Sequence, residues 1–321
     1  MEGNYRDQSQ SEFSPLHNLT ETGINFTTVQ YLLPGVIISL TALLVDFAVI
    51  ILILANPRVR KISNSIFCSS CFCGLLSSVQ TIAVVLNLLY ETDYYFNDFI
   101  ECFLDETIEL SLFAVFNIHV TLINLQRCLS IIFPFKYQRW ATRRNVAIAI
   151  ILAWIVPIGV IFMLSQFISL VTFGNCSEWY QVSSANIIVT RILLPITFVL
   201  PPLVTIVTYS IIINKVYSFQ KKFRSQCNST PLPQSSSSHQ LMFLHRKALI
   251  QMALVLGAYS LSLFPLFTVL TILTISPNFS LYAASEVTYC IAATYIFIHP
   301  ILVVYFTVDL KAEIKKRLTR Y

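Results

Sequence analysis

Long apolar segments recur along the whole chain, and they constrain its fold more than any other feature. A helix needs about 20 apolar residues to cross the hydrocarbon core of a bilayer. Lipid cannot satisfy the unpaired backbone groups of an open sheet, so these segments predict an all-α membrane fold, a bundle of seven transmembrane helices over residues 31–307. The seven segments are residues 31–55, 64–90, 99–132, 144–168, 187–214, 246–274 and 282–307.

Charge predicts the orientation of this bundle. Lys and Arg concentrate in the cytoplasmic segments of membrane proteins. Of the 21 Lys and Arg residues, only Arg6 and Arg191 fall on the predicted outer side or in the outer half of the bundle. The others cluster on the predicted cytoplasmic side. We therefore expect a multi-pass plasma-membrane protein with residues 1–30 outside and residues 308–321 in the cytoplasm. Residues 1–30 contain no apolar signal-peptide core, so the first helix is expected to direct insertion.

Cysteines and glycosylation sequons follow the same orientation. Cys102 begins the third segment on the predicted outer side, and Cys176 lies in the loop after the fourth. Both face an oxidising compartment, so we predict a disulfide that holds this loop over the bundle. Cys68, Cys71 and Cys73 lack the second ligand pair of a zinc site, so no metal site is predicted. The predicted outer glycosylation sites are Asn18, Asn25, Asn175 and Asn278.

Two segments on the predicted cytoplasmic side differ in composition. Residues 216–244 contain prolines and the run Ser235–Ser238, which is typical of a flexible loop with serines open to phosphorylation. Residues 308–321 repeat an apolar residue every four positions (Leu310, Ile314, Leu318) among basic ones. This repeat predicts a short amphipathic helix on the anionic inner leaflet, and a solvated basic tail is the alternative.

Landmark residues occur at regular places in these segments. Arg127 lies at the predicted inner end of the third helix, 25 residues after Cys102, and is followed by Pro134 and Tyr137. In these positions the chain resembles the rhodopsin-like (class A) G-protein-coupled receptors over essentially its whole length. The resemblance implies a receptor that passes an extracellular small-molecule or peptide signal to heterotrimeric G proteins, without a cofactor or enzymatic activity. The remaining landmarks are Trp154, Phe198, Pro201, Tyr209, Pro265 and Pro300.

Several family motifs are altered. The family's Asp-Arg-Tyr is Gln126-Arg127-Cys128, and its Cys-Trp-x-Pro is Ser262–Pro265. Its Asn-Pro-x-x-Tyr is His299–Val303, with Tyr305 displaced by two positions. These changes indicate a divergent branch, such as chemosensory or orphan receptors. A signalling-deficient scaffold or decoy is the alternative, and a membrane carrier is disfavoured because the chain shows no internal repeat.

The resemblance also shows that the buried acid has moved between helices. Asp46 stands where the family has Asn in the first helix, and Gly74 stands at the family's second-helix Asp. Ionisable residues inside a membrane are costly and usually functional. Our hypothesis is that Asp46 pairs with His299 in place of the family's sodium-binding carboxylate network, and a neutral, hydrogen-bonded Asp46 is the alternative. Phe116 replaces a small polar residue of that network, which argues against sodium binding.

Other residues inside the bundle are expected to form its conformational switch. Asn117 and Tyr259 fall beside Pro201 at the family's central switch, where apolar residues are usual. We predict a polar contact between them, without assigning it a function. Pro265 and Pro300 complete the predicted switch.

The predicted outer halves of the third and seventh helices are rich in acidic residues. Glu109 stands 18 residues before Arg127, where aminergic receptors have the Asp that binds an ammonium group. An acidic pocket with aromatic walls suits an organic cation. Alternatively, Glu109 forms a salt bridge with Arg191, and Asp105 and Glu106 are solvated. The ligand-binding candidates are Asp105, Glu106, Glu109, Glu286 and Tyr289.

The predicted cytoplasmic ends would form the site for a G protein. The resemblance implies that Arg127 faces the G protein once the sixth helix moves outward, and an interfacial Arg that reaches lipid phosphate is the alternative. No neighbouring carboxylate is available to hold Arg127, so we predict detectable signalling without ligand. The residues predicted to line this cleft are Arg127, Tyr209, His245, Arg246 and Lys247.

Overall fold

The structure, a computed structural model, describes residues 26–90, 107–172, 200–229, 236–275 and 279–319. These residues form helices and no strand. Seven of the helices correspond to the seven predicted segments, so the all-α fold of a seven-helix bundle is confirmed. In chain order, the helices of the described residues are α1 (Phe26–Ala55), α2 (Ile62–Tyr90), α3 (Ile108–Ile132), α4 (Pro134–Trp140), α5 (Arg143–Thr172), α6 (Leu200–Ser229), α7 (Ser236–Ile275), α8 (Phe279–Phe306) and α9 (Val308–Leu318). The two that are not crossings are α4 and α9.

Length and composition fit membrane crossings. Within the described residues, six helices contain apolar stretches of 20–25 residues, long enough to cross a bilayer. In α6 the apolar stretch is the shorter Leu203–Lys215, and residues 187–199 of that predicted segment lie outside the described residues. Hydroxyl groups in these helices bond to their own backbone, as when Thr41 and Thr121 donate to the carbonyls four residues earlier. Such bonds satisfy polar side chains without a partner from water.

The helices pack side by side, with α3 at the centre of the bundle. Neighbouring contacts join α1 to α2, α2 to α3, α3 to α5 and α6, α6 to α7, α7 to α8, and α8 back to α1. Of the candidate membrane spans, 56% of the α3 span is buried, against 22–33% of the other five. The central position of α3 explains why most of the polar contacts described below involve it.

The amphipathic helix α9 packs against the bundle. Leu310 is fully buried beside Val59 of the loop between α1 and α2, and Ile314 packs against the same cluster. Lys61 of that loop forms an ion pair with Asp309, with Nζ and Oδ2 2.5 Å apart. The predicted helix is therefore confirmed, and Leu310 and Ile314 of its apolar face pack against the bundle. Its contact with the inner leaflet stays a prediction.

Two predictions about the connections were incomplete. Residues 216–244 are not wholly a loop, because α6 continues to Ser229 and α7 already begins at Ser236. The continuation of α6 is rich in Lys, Gln and Arg, which have high helix propensity in water and so extend the helix beyond the lipid. In addition, α4 was not predicted, although Pro134 occupies its first turn, where proline is favoured.

Candidate functional site

A polar cluster joins three helices near their predicted outer ends. The Tyr289 side chain of α8 forms hydrogen bonds with Glu109 of α3 and with Thr81 of α2. Glu109 and Tyr289 are both half-buried. The structure therefore brings together two of the five predicted ligand-binding residues. Thr81 was not predicted, because a threonine in an apolar helix is most often only bonded to its own backbone, as Thr81 also is through Ser77.

The other predicted residues on this side cannot be located. Arg191, the alternative partner of Glu109, lies outside the described residues, and so does the side chain of Glu286. The same holds for Asp105, Glu106, both predicted disulfide cysteines (Cys102 and Cys176) and the four sequons (Asn18, Asn25, Asn175 and Asn278).

Asp46 and His299 are both buried in the middle of the bundle, each with 1% of its surface exposed. Asp46 forms a hydrogen bond with the Cys71 thiol of α2. His299 lies among the rings of Phe67, Phe116 and Tyr295, whose centroids are 6.1, 5.7 and 5.6 Å from its own. The carboxyl group thus belongs to the α1–α2 contact, and the imidazole belongs to an aromatic cluster.

The predicted pairing of Asp46 with His299 is not formed in this structure. Asp46 Oδ2 and His299 Nδ1 each have no hydrogen-bond partner among the described residues, and no ion pair joins the two side chains. The physical reason is direction: the carboxyl points toward Gly74 and Cys71 of α2. The hydrogen-bonded Asp46 that we weighed as the alternative agrees with the bond to Cys71.

The predicted contact between Asn117 and Tyr259 is confirmed. The Tyr259 hydroxyl donates to Asn117 Oδ1 at 3.1 Å, and both side chains are buried. The Tyr259 ring also meets the Tyr295 ring edge-on, with centroids 5.2 Å apart. This bond therefore joins α3 to α7 one and a half turns before Pro265, at the level where the predicted switch lies.

Removing the Tyr259 hydroxyl should destabilise the bundle. A Tyr259→Phe variant leaves Asn117 Oδ1 without this donor, and interhelical hydrogen bonds in membranes contribute about 0.6–2 kcal/mol. We expect a lower unfolding temperature for the purified protein in detergent. Tyr217→Phe is the control, because Tyr217 is 66% exposed. Equal unfolding temperatures for the two variants would show that the bond does not contribute to stability.

Sequence reasoning missed a second polar network, which is partly buried. Trp154 Nε1 of α5 donates to Ser69 Oγ of α2 at 2.9 Å, and Ser69 Oγ lies 2.9 Å from His119 Nε2 of α3. The other ring nitrogen of His119 lies 2.8 Å from the Val115 carbonyl oxygen. Trp154 was a sequence landmark, but His119 was not considered. The available signal was a single histidine in the middle of an apolar helix.

At the opposite, predicted cytoplasmic end of α3, Arg127 is half-buried. No Asp or Glu of the described residues forms an ion pair with it. The neighbouring Gln126 donates its side-chain amide to the Tyr137 hydroxyl at 2.7 Å, which attaches α4 to α3. Tyr209 packs beside Cys128 and Ile212. Two of the five predicted cleft residues, Arg127 and Tyr209, are thus placed on α3 and α6.

The remaining cleft candidates are only partly described. His245, Arg246 and Lys247 belong to α7, and their side chains lie outside the described residues. The displaced Tyr305 does not replace the family's tyrosine inside the bundle, because it is 58% exposed. Lys311 of α9 lies over its ring, with Nζ 4.4 Å from the centroid. Val303, at the motif position itself, is buried.

Seven apolar helices with α3 at their centre, polar contacts in the core and an amphipathic helix after the last crossing define a seven-transmembrane helical bundle. Residues 46–303 match the sequence model of the family described as 7 transmembrane receptor (rhodopsin family). This match covers about four fifths of the chain, from within α1 almost to the end of α8, so the chain belongs to that family. A search of curated proteins found no match.

Proposed function

We propose that this receptor transduces an extracellular signal to heterotrimeric G proteins, with its N-terminus outside and its C-terminus in the cytoplasm. The supporting observation is the half-buried Arg127 at the predicted cytoplasmic end of the central helix, without an ion pair to any described carboxylate. An unpaired guanidinium there offers five N–H donors to the end of a partner helix. The orientation is supported by the clustering of basic residues on this side.

The short helix α4 supports the same proposal. Phe135 is 88% exposed, and the neighbouring Lys136 and Arg139 are also exposed. Tyr137 attaches α4 to α3 through Gln126, so this surface has a fixed position relative to Arg127. An exposed aromatic ring among basic residues is typical of a contact surface for another protein.

Nucleotide exchange tests the proposed function directly. The receptor would be reconstituted in lipid nanodiscs with a panel of heterotrimeric G proteins, and GTP-analogue uptake would be followed without ligand. We expect at least one G protein to exchange faster than with empty nanodiscs, because no carboxylate of the described residues forms an ion pair with Arg127. Exchange at the empty-nanodisc rate for the whole panel would favour the scaffold or decoy.

For the ligand, the outer polar cluster supports an organic cation. Glu109 is the acidic member; Tyr289 of α8 forms a hydrogen bond with it, and Thr81 of α2 forms a hydrogen bond with Tyr289. A carboxylate fixed in position next to an aromatic ring can bind an ammonium group by ion pairing and cation–π contact. The acidic residues around the predicted entrance would add to the attraction of a cation.

Glu109→Gln should therefore weaken cationic ligands selectively. Hydrogen bonds to charged groups contribute about 1.5–3 kcal/mol, so the loss of charge should reduce the potency of a cationic agonist by about tenfold or more. The measurement is a dose–response of nucleotide exchange for amines found in a ligand screen. Glu313→Gln is the control, since Glu313 lies on α9. Equal potency for wild type and Glu109→Gln would contradict a cation site at Glu109.

A further inference from the structure

The space beside Gly74 is filled by a side chain from a different helix. A methyl group built on Gly74 would overlap with Asp46 Oδ2 and would lie 3.2 Å from Asp46 Cγ. On the α8 side, Ile296 Cγ2 would be 3.0 Å from the same methyl group. The Asp46 carboxyl group therefore occupies the volume that a side chain at position 74 would need.

This arrangement does not fit the sodium site that the resemblance implies. The α2 carboxylate of that site is replaced by Gly74, and its small polar residue on α3 is replaced by Phe116. Phe116 is buried, and its ring centroid lies 5.7 Å from that of His299 and 6.0 Å from that of Tyr295. A hard cation needs about six oxygen ligands, and aromatic rings supply none.

The free oxygen of Asp46 does not restore such a site. Oδ2 has no hydrogen-bond partner among the described residues. It is directed at the Gly74 backbone, and Ile296 closes the same space from α8.

We propose that Asp46 and Gly74 form a size-matched pair that closes the core of this receptor to sodium. The side chain of Asp46, which belongs to α1, occupies the volume that a side chain of α2 fills in the family. Phe116 fills the neighbouring space. The conformational equilibrium of this receptor is consequently independent of sodium.

The first test compares ions on the wild-type receptor. Thermal unfolding in nanodiscs would be measured in sodium, potassium and choline chloride at equal ionic strength. A ligand that binds only the folded state raises the unfolding temperature, so sodium and choline should agree to about 1 °C if no sodium binds. A rise of several degrees that is specific to sodium would overturn the proposal.

The second test concerns the size match and uses surface expression. Gly74→Ala should lower expression several-fold because its methyl group meets the carboxyl group. Adding Asp46→Ala should restore expression because it removes that group, whereas Asp46→Asn should not, because an amide has the same size. Gly159→Ala is the control, since a methyl group there has no atom within 4 Å. Normal expression of Gly74→Ala, or equal rescue by both Asp46 changes, would refute the size-matched pair.

Discussion

Replacing Arg127 with Ala should slow ligand-independent nucleotide exchange by about tenfold or more, because losing a buried charged partner at an interface typically costs about 2–5 kcal/mol. Arg127 is half-buried at the end of α3 and forms no ion pair with a described carboxylate. Its guanidinium is therefore available to the G protein without first breaking such a pair. The measurement is GTP-analogue uptake by the most responsive G protein of the panel.

Two further variants separate the guanidinium from general charge. Arg127→Lys keeps the positive charge but lacks the planar set of donors, so an intermediate exchange rate is expected. Arg139→Ala removes an exposed arginine of α4, and its effect should be smaller than that of Arg127→Ala. Wild-type exchange in Arg127→Ala would rule out a direct role of this side chain in coupling.

The family relationship makes the altered motifs informative about this coupling. Where the family has Asp before Arg127, this chain has Gln126, and the structure uses its neutral amide to bind Tyr137 of α4. A carboxylate at this position could pair with Arg127, whereas an amide cannot form an ion pair. The same substitution thus leaves Arg127 without an ion pair among the described residues, and its amide still attaches α4 to α3. A receptor with this changed motif can therefore keep the elements of the proposed coupling site.

The fold could be predicted from sequence because the bilayer restricts the alternatives. Apolar length selects helices, and the helix ends agree closely where they coincide with the edge of the apolar segment, as at Ala55 and Phe306. Agreement was lost where helices extend beyond the apolar segment, as α6 does up to Ser229. Beyond the lipid, helix ends depend on propensity and on proline positions, which hydropathy does not record.

The site was predictable only as far as helical spacing determines it. The contact between Tyr259 and Asn117 was predicted correctly, because the family resemblance places both residues in the core of the bundle. The pairing of Asp46 with His299 was predicted wrongly, because two buried residues on adjacent helices can point to different neighbours. That choice depends on packing around Gly74, where the missing side chain admits the carboxyl group. Spacing along one helix does not contain this information.

The partly buried network of Ser69, His119 and Trp154 is the second place where large effects are expected. The Val115 carbonyl can only accept, so the His119 nitrogen 2.8 Å away must donate to it. In a neutral ring the other nitrogen is then an acceptor, and it receives the Ser69 hydroxyl proton. Ser69 Oγ in turn accepts from the Trp154 ring nitrogen. Every group is satisfied in this single arrangement, which joins α2, α3 and α5.

Ser69→Ala should therefore destabilise the receptor more than the loss of one bond would, because it leaves both the Trp154 N–H group and a His119 nitrogen unsatisfied. Each unsatisfied buried group costs about 1–3 kcal/mol, although partners found within the membrane reduce this value. Ser210→Ala is the control, because that serine is exposed and bonds to its own helix.

Unfolding temperatures in detergent would also be measured for Trp154→Phe and for the double variant that combines Ser69→Ala with Trp154→Phe. If the network acts as a unit, the double variant should be less destabilised than the two single changes added together. Simple additivity, or equal unfolding temperatures for Ser69→Ala and Ser210→Ala, would show that these three side chains act independently.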